Sequence, residues 1–446
     1  MITLWSQAAA AAARTPDSRN RYVDFLRAVS ILAVISGHWL MAAPWVTGDA
    51  VSLSNMLEHQ SWTHGLTWLF QVMPVFFLVG GYSNGVSWDA ALRDGRSYAD
   101  WLNGRLQRLL GPVMPLLVVW VLLGVLGTVA GIDPALIKTG SQMALIPIWF
   151  LAVYTMAVAL APVTHAAWKK FGMTSFWVLA LAAALDDTLF FAADLRLVGW
   201  LNYGFIWLSV HQLGYAWRDG WFSSPRKALL WAAGGLLVLI GLVTVGPHPV
   251  SMVSVPNADV SNSLPPKLPM LLIGIVQSGL LLSLETPLRR WLAGAVPWTM
   301  TVLVNGMIMT IFLWHSTVMM LMVGLAFWQM PGVLAQQPDT AEWWLTRPLW
   351  LFVYTLVTLP FLLVFGRFER PASDDATRPA VVWLQLFGCA VACFGLAMLA
   401  LDGVGGAGWL GLRWIPLLTP LVGAGLAGFG PFGSVGRGLS GISAKV

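Results

Sequence analysis

Apolar segments long enough to cross a bilayer recur near residues 24–45, 65–87, 108–130, 145–163, 174–191, 199–217, 228–246, 268–284, 298–325, 347–366 and 380–400, with a weaker twelfth near 414–430. This recurrence constrains the fold more than any other feature. Backbone N–H and C=O groups in hydrocarbon have no water to bond, so segments of this length must be helices that satisfy themselves. The expected class is an all-α, polytopic membrane helix bundle. Composition agrees, since 57% of the 446 residues are hydrophobic and 10% are charged. No soluble domain is visible in the longest connections, 46–64, 88–104, 247–267, 326–346 and 367–379, so chemistry must occur in or at the membrane.

Charge placement orients these segments. With the N-terminus in the cytoplasm, only Lys138, Arg196, Lys267, Arg347 and Arg413 of the 25 basic residues fall outside, as the positive-inside rule requires. The net charge of +5 then needs no nucleic acid partner. A multi-pass protein of the cell (plasma) membrane is expected. Residues 1–20 lack a positive n-region before an apolar core and read as a poorly ordered cytoplasmic tail. The glycine-rich end reads as a loosely packed last helix followed by a flexible cytoplasmic tail, 431–446. Cys389 and Cys393, four apart in an apolar run, act as small hydrophobes.

The stretch "RAVSILAVISGHWL" places Arg27 at the start of an apolar run and His38 within it. Eleven residues are three helical turns plus about 20°, so the two share one face with a rise of roughly 16 Å. The arginine is expected at the cytoplasmic mouth and the histidine near mid-membrane. Asp24, three residues before Arg27, can pair with it. A structural histidine is the plain alternative, but intramembrane ionisable groups are costly and usually functional. In "RLQRLLGP", Arg105 and Arg108 share a face at the cytoplasmic start of the third span. An ordinary helix flank explains them on charge alone; with Arg27 they can form a phosphate-binding mouth. "PVFFLVGGYSNG", Pro74 to Gly85, carries paired glycines followed by Tyr82, Ser83 and Asn84. It reads either as close helix packing or as a broken helix lining a cavity.

Together these residues resemble the acyltransferase-3 family of integral membrane acyl-transfer proteins. The resemblance rests on the Arg27, ten residues, His38 pattern, "FFLVGGYSN", the Arg105 and Arg108 pair, "IPIWFLAVY" and "IFLWH", in order from residue 21 to about 320. "SVHQLGYAWRDG" and "GPHPVSMVSVPNADVSNSLPP" also look like the branch of the family common in actinobacteria. Two departures stand out. Many polysaccharide-modifying members have glutamate five residues after the tryptophan matching Trp149, where this chain has Tyr154, and many append an extracellular hydrolase-like domain that is absent here.

The resemblance implies ten core helices over 21–325 and one or two further helices within 326–430. It implies transfer of an acyl group, often acetyl, from cytosolic acyl-CoA to a hydroxyl of a glycan, glycolipid or glycosylated metabolite, with no metal. The residues themselves agree. The donor phosphates need arginines (Arg27, Arg105 and Arg108), its thin thioester arm can enter between helices, and a neutral His38 suits general base work. The rival from another class is a transporter or flippase whose histidine relays protons.

Asp24, Tyr82, Asn84, Trp149, Tyr154, His211 and His315 are candidate pocket linings. His211 and His315 are as readily structural. Glu285 is expected to pair with Arg289 at the cytoplasmic surface. The connection 247–267 is expected outside, shaping the acceptor entrance. His59 and His64 with Glu58 suggest a metal site that nothing else supports.

Overall fold

The computed structural model describes residues 4–47, 50–369 and 380–430, and most of each apolar run is helical. In chain order come α1 (Leu4–Ala13), α2 (Arg21–Met41), a hairpin of β1 (Ala42–Thr47) and β2 (Ala50–Asn55), short α3 (Met56–His59) and α4 (Thr67–Phe70), α5 (Met73–Arg93), α6 (Tyr98–Leu110), α7 (Val113–Val129), α8 (Pro134–Leu145) and α9 (Ile148–Ala159). Next are α10 (Ala161–Phe171), α11 (Met173–Ala192), α12 (Asn202–Arg218), α13 (Pro225–Thr244), α14 (Leu268–Ser283), α15 (Glu285–Trp291) and α16 (Ala295–Asn305). The last are α17 (Ile308–Gln329), α18 (Ala341–Phe365), α19 (Val382–Asp402) and α20 (Trp414–Ala427). Among the described residues eight helical stretches are long and apolar enough to span a bilayer, and counting the bent pairs α8–α9 (44°) and α14–α15 (54°) raises this to ten. The protein is an all-α, multi-pass membrane protein.

Two compact units divide the chain. One comprises residues 1–88, 160–308 and 336–344; the other 89–159, 309–335 and 345–446.

Several expectations change. The N-terminal tail contains a helix: its alanine run has the highest helix propensity, and Ala8 and Ala12 are buried, consistent with the packing of α1 on α16. The connection after α2 forms the antiparallel hairpin β1–β2, with Ala42 opposite Asn55 and Trp45 opposite Ser52. Helix α5 is unbroken through its glycines, so close packing is their use. A Cβ on Gly81 would strike the His211 carbonyl, and one on Gly214 would lie 2.6 Å from the Tyr82 nitrogen. The expected span 298–325 is instead two helices, α16 and α17. Asn305 diverts its amide to the Thr301 carbonyl at 2.9 Å, while Glu369 starts α17 by accepting from the Met309 and Thr310 N–H groups at 2.9 and 3.1 Å.

Arg105 and Arg108 lie on α6, a separate amphipathic helix before α7, capped by a Ser97–Asp100 box. The last helix is not loosely packed, because a Cβ on Gly388 would lie 2.5 Å from the Ala427 nitrogen. The expected flexible tail, 431–446, lies outside the described residues.

Candidate active site

Three consecutive residues of α5 reach three different partners, because successive helical side chains point about 100° apart. Tyr82 Oη accepts from Asn20 Nδ2 at 3.1 Å, and Asn20 also caps α2 by accepting from the Tyr22 N–H. Ser83 Oγ accepts from Arg27 Nη2 at 3.2 Å. Asn84, buried, places its Nδ2 3.1 Å from Nε2 of the wholly buried His211. The Tyr82 ring packs on Trp217, 4.6 Å between centroids. One helix thus carries three separate polar contacts: Ser83 to Arg27 and through it Asp24, Tyr82 to Asn20, and Asn84 to His211.

Arg27 is held as expected. Its Nη1 is 3.1 Å from Asp24 Oδ1, while Arg19 Nε is 2.6 Å from Asp24 Oδ2. Two guanidiniums share one buried carboxylate, which leaves an excess positive charge. That carboxylate raises the pKa of Arg19 further above its ordinary value, through their hydrogen bond first. Asp24 also lines a cavity of about 280 Å³ with Thr15, Arg19, Trp298, Asn305 and Gly306. Trp298 Nε1 donates to Thr15 Oγ1 at 3.0 Å, and Asn305 Nδ2 to the Asp24 carbonyl at 2.9 Å. Sequence reasoning missed Arg19, Ser83 and Asn305; the signal for Arg19 was its spacing of five from Asp24.

His38 is half-buried in the last turn of α2, closer to the helix end than the mid-membrane depth expected. It remains three turns along the same helix from Arg27.

At the cytoplasm-assigned end of α12, Arg218 Nη1 lies 3.2 Å from His165 Nε2, and its Nε donates to Asp219 Oδ1 at 2.9 Å. Trp217 Nε1 and Arg289 Nη1 both bond Glu285, at 2.8 and 3.5 Å, so the expected Glu285–Arg289 pair forms. His64 Nε2 lies 2.8 Å from the Leu57 carbonyl, His59 meets Ser54, and Glu58 accepts from Asn257. These three use separate local partners.

The loop between α13 and α14 is anchored by charges that sequence reasoning passed over, though "DD" inside the apolar α11 was the signal. Asp187 accepts from Asn202 Nδ2 at 3.0 Å and from the Leu268 N–H at 2.6 Å. His248 Nε2 lies 3.8 Å away from it. Burial holds the His248 pKa down to about 4, so the imidazole is neutral despite the carboxylate. Lys267, wholly buried, sits over the Phe190 ring with Nζ 3.7 Å from the centroid; burial lowers its pKa and Asp187 and Asp186 partly restore it.

In the second unit the candidates meet through rings. Tyr154 stacks on Phe150 at 5.4 Å, Phe150 meets Phe312 edge-on at 5.7 Å, and Phe312 lies 6.2 Å from His315. Trp149 adjoins Phe150 at 6.4 Å. His315 is wholly buried, with Nδ1 2.6 Å from the Phe312 carbonyl and Nε2 3.1 Å from Ser316 Oγ. On α6, the Arg105 guanidinium lies 5.6 Å over the Trp101 ring, and Arg108 is exposed.

A family model described as an acyltransferase domain matches residues 20–367. No curated protein and no solved structure matches the chain.

Proposed function

The chain belongs to that acyltransferase family and is a membrane acyltransferase; we propose that it transfers an acyl group, acetyl in the first instance, from cytosolic acyl-CoA to a hydroxyl of a glycan, glycolipid or glycosylated metabolite. One observation carries this reading. Arg27 is oriented by Asp24 and Ser83, the same Asp24 lines a cavity with Arg19, and His38 follows three turns along the same helix. Charge-assisted bonds from guanidinium to phosphate are strong and geometrically specific, so the excess charge there suits the polyanionic end of the donor.

In this scheme neutral His38 takes the proton from the acceptor hydroxyl as its oxygen attacks the thioester carbonyl. The C–S bond then breaks, and the imidazolium returns the proton to the departing thiolate as free thiol. Tyr82, Asn84 and His211 line the donor path, while Trp149, Tyr154 and His315 form an aromatic lining toward the acceptor. We assign the protein to the plasma membrane with its N-terminus in the cytoplasm and residues 247–267 outside.

The test uses purified protein in nanodiscs with acetyl-CoA and a panel of glycoside acceptors, following free thiol and acylated product together. Product and thiol in equal amounts are expected. Thiol release without any acylated acceptor, or movement of an unmodified solute across the membrane without thiol release, would refute the reading.

A further inference from the structure

Helices α19 and α20 lie beyond the family-matched residues, and their geometry points to a second ligand site. Through most of their length the pair is in backbone contact, with Gly388 against Ala427 and Gly395 against Pro420, where a Cβ would lie 2.5 Å from each neighbour. Toward the 403–413 loop lies an open cavity of about 510 Å³ lined by Phe394, Met398, Leu412, Arg413, Trp414 and Ile415.

Its walls are apolar and its rim is cationic. Arg413 Nη1 lies 3.2 Å from Asp402 Oδ2, and Lys138 Nζ lies 3.8 Å from Asp402 Oδ1. Two cations share a single carboxylate, so one positive charge is left over beside Arg413, which lines the cavity.

The loop that carries Arg413 is held by backbone hydrogen bonds. The Arg413 N–H donates to the Val404 carbonyl, and the Gly406 N–H to the Gly411 carbonyl, each at 2.9 Å. The Val404 N–H in turn donates to Ser141 Oγ of α8 at 2.9 Å. Trp409 and Trp414 stack at 5.8 Å, with Trp414 Nε1 bonded to the Trp409 carbonyl. Tryptophan at a cation-bearing helix end marks the headgroup level of a bilayer.

Its mostly apolar lining offers an ordered water few polar partners. An occupant with an apolar body and an anionic end suits the cavity. We propose that it binds one anionic glycerophospholipid, an acyl chain lying between Phe394, Met398 and Ile415 and the phosphate accepting from Arg413 and Lys138. Preorganised cations reduce the ordering cost of binding and set this site apart from the lipid layer that surrounds any membrane helix. The proposal is independent of the acyl-transfer reading.

The full chain is delipidated in neutral detergent, then titrated with phosphatidylglycerol and phosphatidylcholine of matched chains, and retained lipid is counted by native mass spectrometry. One phosphatidylglycerol should be retained at concentrations where phosphatidylcholine is not. Arg413→Gln should weaken that retention by about tenfold or more, the loss expected for a charge-assisted bond. Met398→Trp, which fills the cavity, should remove retention of both lipids while elution stays monodisperse. Equal retention of the two lipids, or retention unchanged in Arg413→Gln, overturns the proposal. So does a lipid-free dimer dissociated by Met398→Trp, which would make a second copy the occupant.

Discussion

Asn84 meets His211 through a hydrogen bond across 127 residues of chain, whereas Tyr154 meets His315 through two intervening phenylalanine rings. The first unit joins its candidate side chains mainly by directional bonds between polar groups; the second brings Tyr154 toward His315 by ring shape, while His315 itself is hydrogen-bonded to its own helix. Directional bonds fix protonation and charge as well as position, which is what phosphate binding and proton transfer require. Ring packing fixes shape alone, and so tolerates loss of a polar atom better than loss of a ring. The division gives each unit a different sensitivity to substitution.

The comparison is broken most severely at His38. His38→Ala should lower acyl transfer by about 10²–10⁴-fold, the usual worth of a general base, with acyl-CoA affinity unchanged by calorimetry. His38→Gln retains a polar group without a titrating ring and should be equally impaired; a fully active glutamine variant would make this histidine structural.

Next comes Arg27. Arg27→Ala should weaken acyl-CoA binding by about 10- to 100-fold, corresponding to charge-assisted bonds of about 1.5–3 kcal/mol. Ser83→Ala removes one bond and keeps the charge, so its effect should be smaller. Equal donor affinity in all three proteins would remove Arg27 from the phosphate site.

Packing sharpens the contrast further. Gly81→Ala forces a methyl against the His211 carbonyl and should destabilise the protein by about 1–3 kcal/mol, as overpacking does, read as a lowered Tm. Gly104→Ala, where a Cβ meets nothing within 4 Å, should not lower Tm. If both behave alike, the contact of α5 with α12 is not tight.

Within the aromatic unit, Tyr154→Ala should lower Tm, costing about 1 kcal/mol or more in lost ring contacts. An unchanged Tm would show that its stack on Phe150 contributes nothing.

The smallest effect is expected in the 247–267 loop. Folded His248 titrates near 4 and the unfolded residue near 6.5, so between these values the unfolded loop binds a proton that the folded loop refuses. Loop stability should be constant above about pH 6.5 and fall as pH drops toward 4. The charged groups around it are Asp187 and Lys267. Hydrogen exchange of the loop should become faster across that range, and His248→Gln should flatten the response.

Much of the architecture was legible because membrane solvation imposes it locally. Spans could be read from apolar runs, Asp24–Arg27 and Glu285–Arg289 from helical spacing, and the family from ordered motifs. Less legible were features that depend on what a side chain meets. Periodicity cannot tell a glycine that breaks a helix from one that admits a neighbour, and α5 proved continuous. Apolarity alone cannot show that the 298–325 run is interrupted, because Asn305 and Glu369 rebond its backbone there. Ser83 looked like any small polar residue until Arg27 was seen to donate to it.

Sequence by itself determined that this chain is a helical membrane protein of an acyl-transferring family, since apolar length and short-range spacing are properties of neighbours along one helix. Tertiary structure alone decided that Arg19 and Arg27 share one carboxylate, that Asn84 faces His211, and that Lys267 is buried against Phe190. Those pairings depend on which helix faces come together in space, and a burial or a hydrogen bond between distant residues leaves no periodic trace in the chain.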